Sequence, residues 1–213
     1  AKKVRTAGKE SSTAQMLRSP AFWMYYLWAV LLSAAGLALI SQATGSASEV
    51  GSQVSAGTIA TVVGLISVAN AVGRVLSGIL FDKCGRSITM QIVNAVFIIT
   101  GAVLSLALVS GNFALIVLGF VLGGLAYGGV TPTNSAFVSS YFGQKHYAMN
   151  FSVINTNLIF ASFGSTIAGA LYDASGSYLS TYLLMAGLAV AGILLSLGIG
   201  LCDRNNAKNL GNQ

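Results

Sequence analysis

The chain has 213 residues, of which 54% are hydrophobic and only 8% are charged. Because about a quarter of the residues in a soluble globular domain are charged, this composition excludes that class of protein. The formal net charge is +6. Nearly all of the basic residues lie outside the apolar segments, so the charge predicts a membrane topology rather than nucleic-acid binding.

Six apolar segments are long enough to cross about 30 Å of hydrocarbon, which takes roughly 20 residues each. They are predicted at residues 20–43, 55–81, 88–109, 113–139, 147–171 and 178–201. The sequence therefore predicts an all-α, polytopic protein of the lipid bilayer. We expect a basic cytoplasmic loop at residues 1–18, a six-helix transmembrane domain at 19–202 and a cytoplasmic tail at 203–213.

Lysine and arginine in the connections lie on one side of this six-helix topology. They precede the first segment (Lys2, Lys3, Arg5, Lys9, Arg18), follow the second (Lys83, Arg86) and fourth (Lys145), and occur in the tail (Arg204, Lys208). The connections on the other side contain none. Since loops rich in Lys and Arg stay in the cytoplasm, we expect a multi-pass protein of the cell (plasma or inner) membrane with both termini cytoplasmic.

Two stretches of similar sequence lie 91 residues apart. Gly73–Ser87 reads GRVLSGILFDKCGRS, and Gly164–Tyr178 reads GSTIAGALYDASGSY. Glycine, aromatic and aspartate positions coincide, whereas the basic residues of the first stretch are absent from the second. This difference predicts equivalent hairpins on opposite sides of a membrane, and so two inverted three-helix repeats, an arrangement typical of transporters.

Two features of the remaining sequence have more than one interpretation. Residues 1–18 are polar and basic, which predicts a flexible loop or a surface helix rather than a packed element. Aromatic residues crowd the start of the first segment, and they favour an interfacial belt, with one or two of them lining a pathway as the alternative. These are Phe22, Trp23, Tyr25, Tyr26 and Trp28.

Glycines and a proline mark the fourth segment. The pairs Gly119/Gly123 and Gly124/Gly128 are spaced four residues apart, which predicts close approach of neighbouring helices. Pro132 removes a backbone donor and permits a bend. Such a bend serves either gating or static packing.

Arg74 is the strongest candidate for a functional residue. It lies eight positions before Asp82, about 12 Å along a helix from the predicted inner turn. An arginine at this depth marks a substrate pathway, unless its side chain extends to the interface. Ser67, Asn70 and Ser77 share its helical face and favour the pathway.

The five acidic residues all lie in predicted loops or at helix ends: Glu10, Glu49, Asp82, Asp173 and Asp203. Arg74 therefore has no carboxylate counter-ion at membrane depth within this chain. A guanidinium in this setting suits two-point binding of a substrate carboxylate. The sequence predicts a small organic anion as the substrate.

A second polar patch opens the fifth segment, with Asn150, Ser152, Asn155, Thr156 and Asn157. We expect the patch to line a cavity, although each member alone also suits hydrogen bonding between helices. Tyr127 and Thr131 are weaker candidates in the fourth segment. The predicted substrate-binding residues are thus Arg74, Asn70, Asn155, Tyr127 and Thr131.

The turn after the second segment has a different predicted role. Gly78, Asp82, Lys83, Gly85 and Arg86 form a charged turn suited to stabilising one conformation and releasing in another.

No chemistry of an enzyme is visible. Cys84 and Cys202 are predicted to be reduced thiols, and with the single His146 they have no metal-ligand spacing. No nucleophile–base pair lies in the helices. We expect no catalytic residue, no cofactor and no metal.

The charged turn resembles the signature loop of the major facilitator superfamily, Gly-x3-Asp-(Arg/Lys)-x-Gly-Arg. More narrowly, residues 16–201 resemble the C-terminal six-helix half of the oxalate/formate antiporter family, which includes bacterial monocarboxylate transporters. The runs that carry this resemblance are Gly36-Leu37 with Ile40, Ser67-Val68-Ala69-Asn70 through Gly73-Arg74, and Tyr141-Phe142-Gly143 with Asn150. The resemblance implies a carrier that works by alternating access, with a substrate site between two six-helix halves and Arg74 binding the substrate carboxylate.

Two departures from that family refine the expectation. Oxalate-handling members carry a lysine where this chain has Asn157 and Leu158, so a monocarboxylate such as lactate, pyruvate or formate suits the chain better than a dianion. Only one half is represented and there is no initiating Met, so we expect a fragment or one chain of a split transporter. Its partners are then the other half and a coupling proton or counter-anion. The alternatives are a non-transporting membrane sensor or accessory subunit and, within transport, oxalate:formate-type antiport.

Overall fold

The structure is a computed structural model that describes residues 10–211, with side chains described for residues 10–202. Its helices are α1 Thr13–Leu17, α2 Pro20–Val50, α3 Ala56–Ser110, α4 Phe113–Phe142, α5 Tyr147–Asn155, α6 Asn157–Ala161, α7 Phe163–Ser175 and α8 Leu179–Gly211. Residues 10–211 contain no strand. The prediction of an all-α protein is confirmed.

Helix α3 contains both the second and the third predicted segment. Gly85 interrupts its helical backbone with φ 79° and ψ 178°, a conformation that glycine adopts without a steric penalty. Gly129 of α4 packs against residues on both sides of this break, because Ser77 Oγ and Val93 Cγ2 each lie 2.7 Å from where a Cβ of Gly129 would stand. The chain therefore reverses at Gly85, and α3 is a helical hairpin.

The fifth predicted segment is divided into α5, α6 and α7. The dividing residues Thr156 (φ −61°, ψ −13°) and Ser162 (φ −60°, ψ −27°) keep right-handed helical dihedrals, so the three pieces follow one another as a single span. Five helical stretches are long and apolar enough to cross a membrane: Pro20–Val50, Ala56–Ser110, Phe113–Phe142, Tyr147–Ser175 and Leu179–Cys202. With the reversal inside α3, they account for the six predicted segments.

Equivalent glycines of the two repeats each pack on the other repeat, at equivalent positions. A Cβ on Gly73 would overlap the backbone of Leu125, and a Cβ on Gly164 would overlap the backbone of Ala34. Gly164 is 91 residues after Gly73, and Leu125 is 91 residues after Ala34. The inverted repeat predicted from the sequence is therefore present in the packing of α3 on α4 and of α7 on α2.

Two apolar grooves obey the same relationship. One lies between the two arms of α3 and α4, and the other between α2, α7 and α8. Equivalent residues line both: Gly73, Leu76, Leu122, Leu125 and Ala126 in the first, and Gly164, Ile167, Leu31, Ala34 and Ala35 in the second.

The aromatic residues at the start of α2 do not form the expected belt. Phe22, Tyr25 and Trp28 are fully buried, so the interpretation as a belt is wrong for these three. Tyr25 donates its hydroxyl to Asn134 Oδ1 at 2.9 Å, and Trp28 donates Nε1–H to Asn94 Oδ1 at 2.9 Å. These two bonds join α2 to α4 and to α3 inside the bundle.

The segment before α2 contains a short helix, α1, and a helix was one of the two forms that we expected for residues 1–18. Helix α1 buries Met16 completely, so it is packed against the bundle, contrary to our expectation of an unpacked element. Lys2, Lys3, Arg5 and Lys9 lie outside the described residues. At the other end, α8 continues into the predicted tail as far as Gly211.

Candidate functional site

Arg74 lies on the first arm of α3 and is exposed. Its Nε–H donates to Asn70 Oδ1, one turn earlier, at 3.1 Å. Asn70 is half-buried. The bond orients the guanidinium and leaves its terminal nitrogens for another acceptor.

Three glycines bring α3 and α4 together at the level of Arg74. A Cβ on Gly128 would overlap the carbonyl oxygen of Asn70 and lie 3.0 Å from the backbone nitrogen of Arg74. A Cβ on Gly124 would lie 2.5 Å from the carbonyl oxygen of Ile66, and Gly73 packs directly on Leu125. The predicted close approach at these glycines is confirmed, and the contact fixes the height of Arg74 relative to α4.

The polar stripe predicted around Arg74 is only partly open. Ser67 and Arg74 are exposed and Asn70 is half-buried, whereas Ser77 is 8% exposed and lies against Gly129. Ser77 therefore belongs to the contact between α3 and α4.

Tyr127 lies beside this group on α4. Its ring packs against Gly36 of α2, at a distance that a Cβ on Gly36 would not allow. Tyr127 is half-buried, and it directly precedes Gly128, which packs against the backbone of Asn70 and Arg74. Thr131 follows one turn later and is also half-buried. The structure thus brings together Arg74, Asn70 and Tyr127, with Thr131 adjacent.

Asn155 lies elsewhere. It is half-buried near the end of α5. Helix α5 packs mainly on α4, whereas α6 and α7, which continue the same span, pack mainly on α2. Among the described residues, no hydrogen bond joins Asn155 to Arg74, Asn70, Tyr127 or Thr131. Asn155 is therefore not joined by a hydrogen bond to the group around Arg74.

Two members of the polar patch do not line a cavity, contrary to our interpretation. Asn150 and Asn157 are fully buried. Asn157 donates Nδ2–H to Ile154 O at 2.7 Å and accepts from Ser33 Oγ at 3.5 Å. These two asparagines stabilise packing between elements.

One polar contact on this side was not assigned from the sequence. Tyr26 of α2 and Thr156 share a hydrogen bond between their hydroxyls at 2.7 Å, and Tyr26 is half-buried whereas Thr156 is exposed. The lining of a pathway was the alternative role that we predicted from the sequence for one or two of the aromatic residues of α2, which include Tyr26.

Leu158 has the exposed side chain that we had expected of the polar patch. It is 47% exposed on α6, next to the buried Asn157. Of the two positions where we had expected a lysine in an oxalate-handling relative, only Leu158 is open to the outside of the bundle.

Comparison with known proteins decides the family. The sequence model of the Major Facilitator Superfamily matches residues 21–212. This chain belongs to the Major Facilitator Superfamily. As in other proteins of this class, its apolar helices make it a multi-pass membrane protein.

Two relatives within the superfamily are similar over much of the chain. An uncharacterized MFS-type transporter, YhjX, of Escherichia coli (strain K12) is 27% identical over 146 residues, which are 68% of this chain and 36% of the relative. The oxalate:formate antiporter of Oxalobacter formigenes is 25% identical over 173 residues, which are 78% of this chain and 40% of the relative. The matched regions thus cover less than half of the length of each of these relatives.

The charged turn, whose sequence resembles the superfamily's signature loop, lies at the break in α3. Asp82 and Lys83 are exposed, and Arg86 is half-buried, close enough to the buried Tyr25 for an electrostatic interaction. Thr89 donates its hydroxyl to Gly85 O at 2.8 Å, which ties the second arm of α3 to the turn. Cys84 and Cys202 are free thiols.

Proposed function

We propose that this chain forms one half of a 12-helix secondary transporter that moves a small organic anion by alternating access. The observation that carries the proposal is the state of Arg74. The guanidinium lies on the outside of the bundle, is oriented by Asn70, and has no carboxylate partner among the described residues. A cation held in this way is suited to bind an anion that arrives from outside the half.

A carboxylate is the anion that fits this site best. Its two oxygens accept from two terminal nitrogens of a guanidinium in one plane. The half-buried hydroxyls of Tyr127 and Thr131 lie on the adjoining helix and suit further hydrogen bonds. The similarity to an oxalate:formate antiporter supports a small carboxylate.

We propose a monocarboxylate, such as lactate, pyruvate or formate, rather than a dianion. A second carboxylate would need a second cation to offset its desolvation. The open position on α6 is occupied by Leu158, an apolar residue. We propose that Asn155 binds a neutral polar group of the substrate in another part of the pathway.

The proposed transporter needs a partner for this half. Arg74 stands among exposed apolar residues of α3, including Val72, Val75 and Leu76. In hydrocarbon an unpaired arginine is costly, and a second six-helix half covering this face would remove that cost. A proton or a counter-anion would supply the coupling.

The proposed orientation follows the distribution of charge. The turn at Gly85 and the turn between α4 and α5 carry Lys83, Arg86 and Lys145, and we place both turns in the cytoplasm of a plasma or inner membrane. Residues 1–18 and 203–213 would then be cytoplasmic as well. We also propose that the charged turn formed by Gly78, Asp82, Lys83, Gly85 and Arg86 stabilises one conformation of the carrier.

Flux in proteoliposomes tests this function. The protein would be reconstituted with its other half, and uptake of labelled formate, lactate and pyruvate would be measured against an internal anion. We expect uptake that saturates with substrate and disappears in Arg74→Ala. Binding of these anions without any uptake would contradict transport and favour a sensor.

A further inference from the structure

The chain just before α2 folds back onto the turn between α4 and α5. Ser11 N–H donates to Phe142 O at 2.9 Å. The carboxylate of Glu10 accepts from the backbone N–H groups of Lys145 at 2.8 Å and Gln144 at 3.3 Å. These bonds connect residues that are far apart in the chain, so they are tertiary contacts rather than a local turn.

Asn150 of α5 extends the same contact into the bundle. Its Oδ1 accepts from Thr13 Oγ1 at 2.8 Å, and its Nδ2–H donates to Ser11 O at 3.2 Å. Asn150 is fully buried, and both ends of its amide are used by the preceding segment. This explains its burial without any part in a substrate site.

The segment itself is folded. Ser12 caps α1 in a reciprocal arrangement with Gln15, and Met16 is completely buried in the hydrophobic core. A segment that lay loosely on the surface would have neither a capped helix nor a buried apolar side chain. Hydrogen bonds at one end of the segment and apolar burial at the other hold it in place.

Gly143 shows that the contact has shaped the turn. Its φ of 83° favours glycine. A Cβ at this position would also lie 2.6 Å from Glu10 Oε2. The turn therefore leaves room for the carboxylate of Glu10 at the same point where its backbone N–H groups face that carboxylate.

We propose that residues 10–17 form an N-terminal clasp that holds the α4–α5 turn against the start of α2. By fixing this turn, the clasp holds α4 and α5 in a constant position relative to each other. Helix α4 carries Tyr127 and Thr131, and α5 carries Asn155. The clasp therefore determines the position of these proposed substrate-binding residues relative to one another. This functional consequence rests on the proposed transport function, whereas the clasp itself does not.

The charge on Glu10 keeps the clasp closed at neutral pH. The backbone N–H of Lys145, and then that of Gln144, lower the pKa of Glu10 from its ordinary value of 4.5, and the charges of His146 and Lys145 add to this effect. A lowered pKa means that the ionised form stabilises the closed clasp. Its contribution is therefore present above the ordinary pKa and is lost as the pH falls through the lowered one.

Amide hydrogen exchange on the intact protein in detergent tests the clasp without any transport measurement. In Glu10→Gln the amides of Gln144 and Lys145 lose a charged acceptor, and we expect their exchange to rise several-fold. Glu49→Gln is the matched control, because Glu49 is an exposed acid at the far end of α2. Unchanged exchange at Gln144 and Lys145 in Glu10→Gln would overturn the clasp.

Transport then tests its consequence. Thr13→Val keeps the shape of the side chain and removes its bond to Asn150, so it avoids the folding defect expected of a change at Asn150 itself. We expect slower uptake in Thr13→Val and Glu10→Gln, with the affinity for formate within about twofold of the original because Arg74 is untouched. Raised exchange with unchanged uptake would overturn the coupling to the pathway. No uptake by the unmodified protein would overturn the transport function and leave the exchange result standing.

Discussion

Gly36 and Tyr127 lie 91 residues apart in the sequence and pack directly on each other, the ring of Tyr127 covering the α-carbon of Gly36. Because 91 residues is the repeat distance, these two are equivalent positions in the two repeats. Equivalent residues touch only near an axis that relates the repeats. The contact between α2 and α4 therefore lies at the pseudo-symmetry axis of the half, and the Arg74 group is built beside it.

The first prediction concerns Arg74. Arg74→Lys keeps the positive charge but loses the planar fork and the bond to Asn70, so binding of a monocarboxylate should weaken by at least about tenfold. Arg74→Ala should abolish binding while the protein still inserts into the membrane. Equilibrium binding in detergent with the other half present measures both. Arg18→Lys is the control, since Arg18 is an exposed residue outside the helical spans, and equal affinities in all of these variants would contradict the role of Arg74.

A second prediction separates orientation of Arg74 from contact with the substrate. Asn70→Asp places a carboxylate where Arg74 Nε already donates, so the guanidinium would be neutralised internally. Anion binding should then fall further than in Asn70→Ala, which only releases the side chain of Arg74. Ser67→Asp adds the same charge about two turns away from Arg74, on the same exposed face of the helix, and it should weaken binding less than Asn70→Asp does. If Asn70→Ala proved more harmful than Asn70→Asp, Asn70 would have to contact the substrate directly.

A third prediction concerns the glycine contact that positions Arg74. Gly128→Ala introduces a Cβ that overlaps the Asn70 carbonyl, and separation of α3 from α4 should lower the free energy of unfolding by about 1–3 kcal/mol. Gly64→Ala is the matched control, because nothing lies within 4 Å of its Cβ position, and it should be neutral or stabilising by up to about 1 kcal/mol. Thermal unfolding in detergent measures the difference. Equal stability of the two variants would show that α3 can move away from α4 without cost.

The fourth prediction concerns the charged turn. Asp82 is eight residues from Arg74, about 12 Å along the helix, so Asp82→Asn should slow transport far more than it weakens binding. Comparing the uptake rate with the equilibrium affinity decides this point. A parallel collapse of both quantities would mean that Asp82 acts on the substrate site or on folding.

The last prediction concerns charge selectivity. Leu158→Lys places a cation on an exposed position of α6, and it should raise the ability of oxalate to compete with lactate, pyruvate and formate. Asn157→Lys is the contrasting variant. Asn157 is fully buried and hydrogen-bonded, so a lysine there should destabilise the protein rather than change its selectivity. In the unmodified protein monocarboxylates should compete better than oxalate, and the reverse order would place a second cation in the other half.

Residue types and spacing alone determined much of this protein. Apolar length predicted six membrane-crossing segments, and the match of Gly73 with Gly164 predicted the inverted repeat, because both depend only on composition and on distance along the chain. Arg74 was equally visible as a candidate, since an arginine without an acid at the same depth is conspicuous in any helical register.

Only the tertiary structure decided which residues face outward. In a membrane protein, apolar side chains face both lipid and protein, so hydropathy does not distinguish the buried face of a helix from the exposed one. Trp28 was therefore mistaken for an interfacial residue, and Asn150 and Asn157 for a cavity wall, although packing with other helices buries all three. The bond of Glu10 to the α4–α5 turn had no sequence signal, because it depends on where a distant segment folds back.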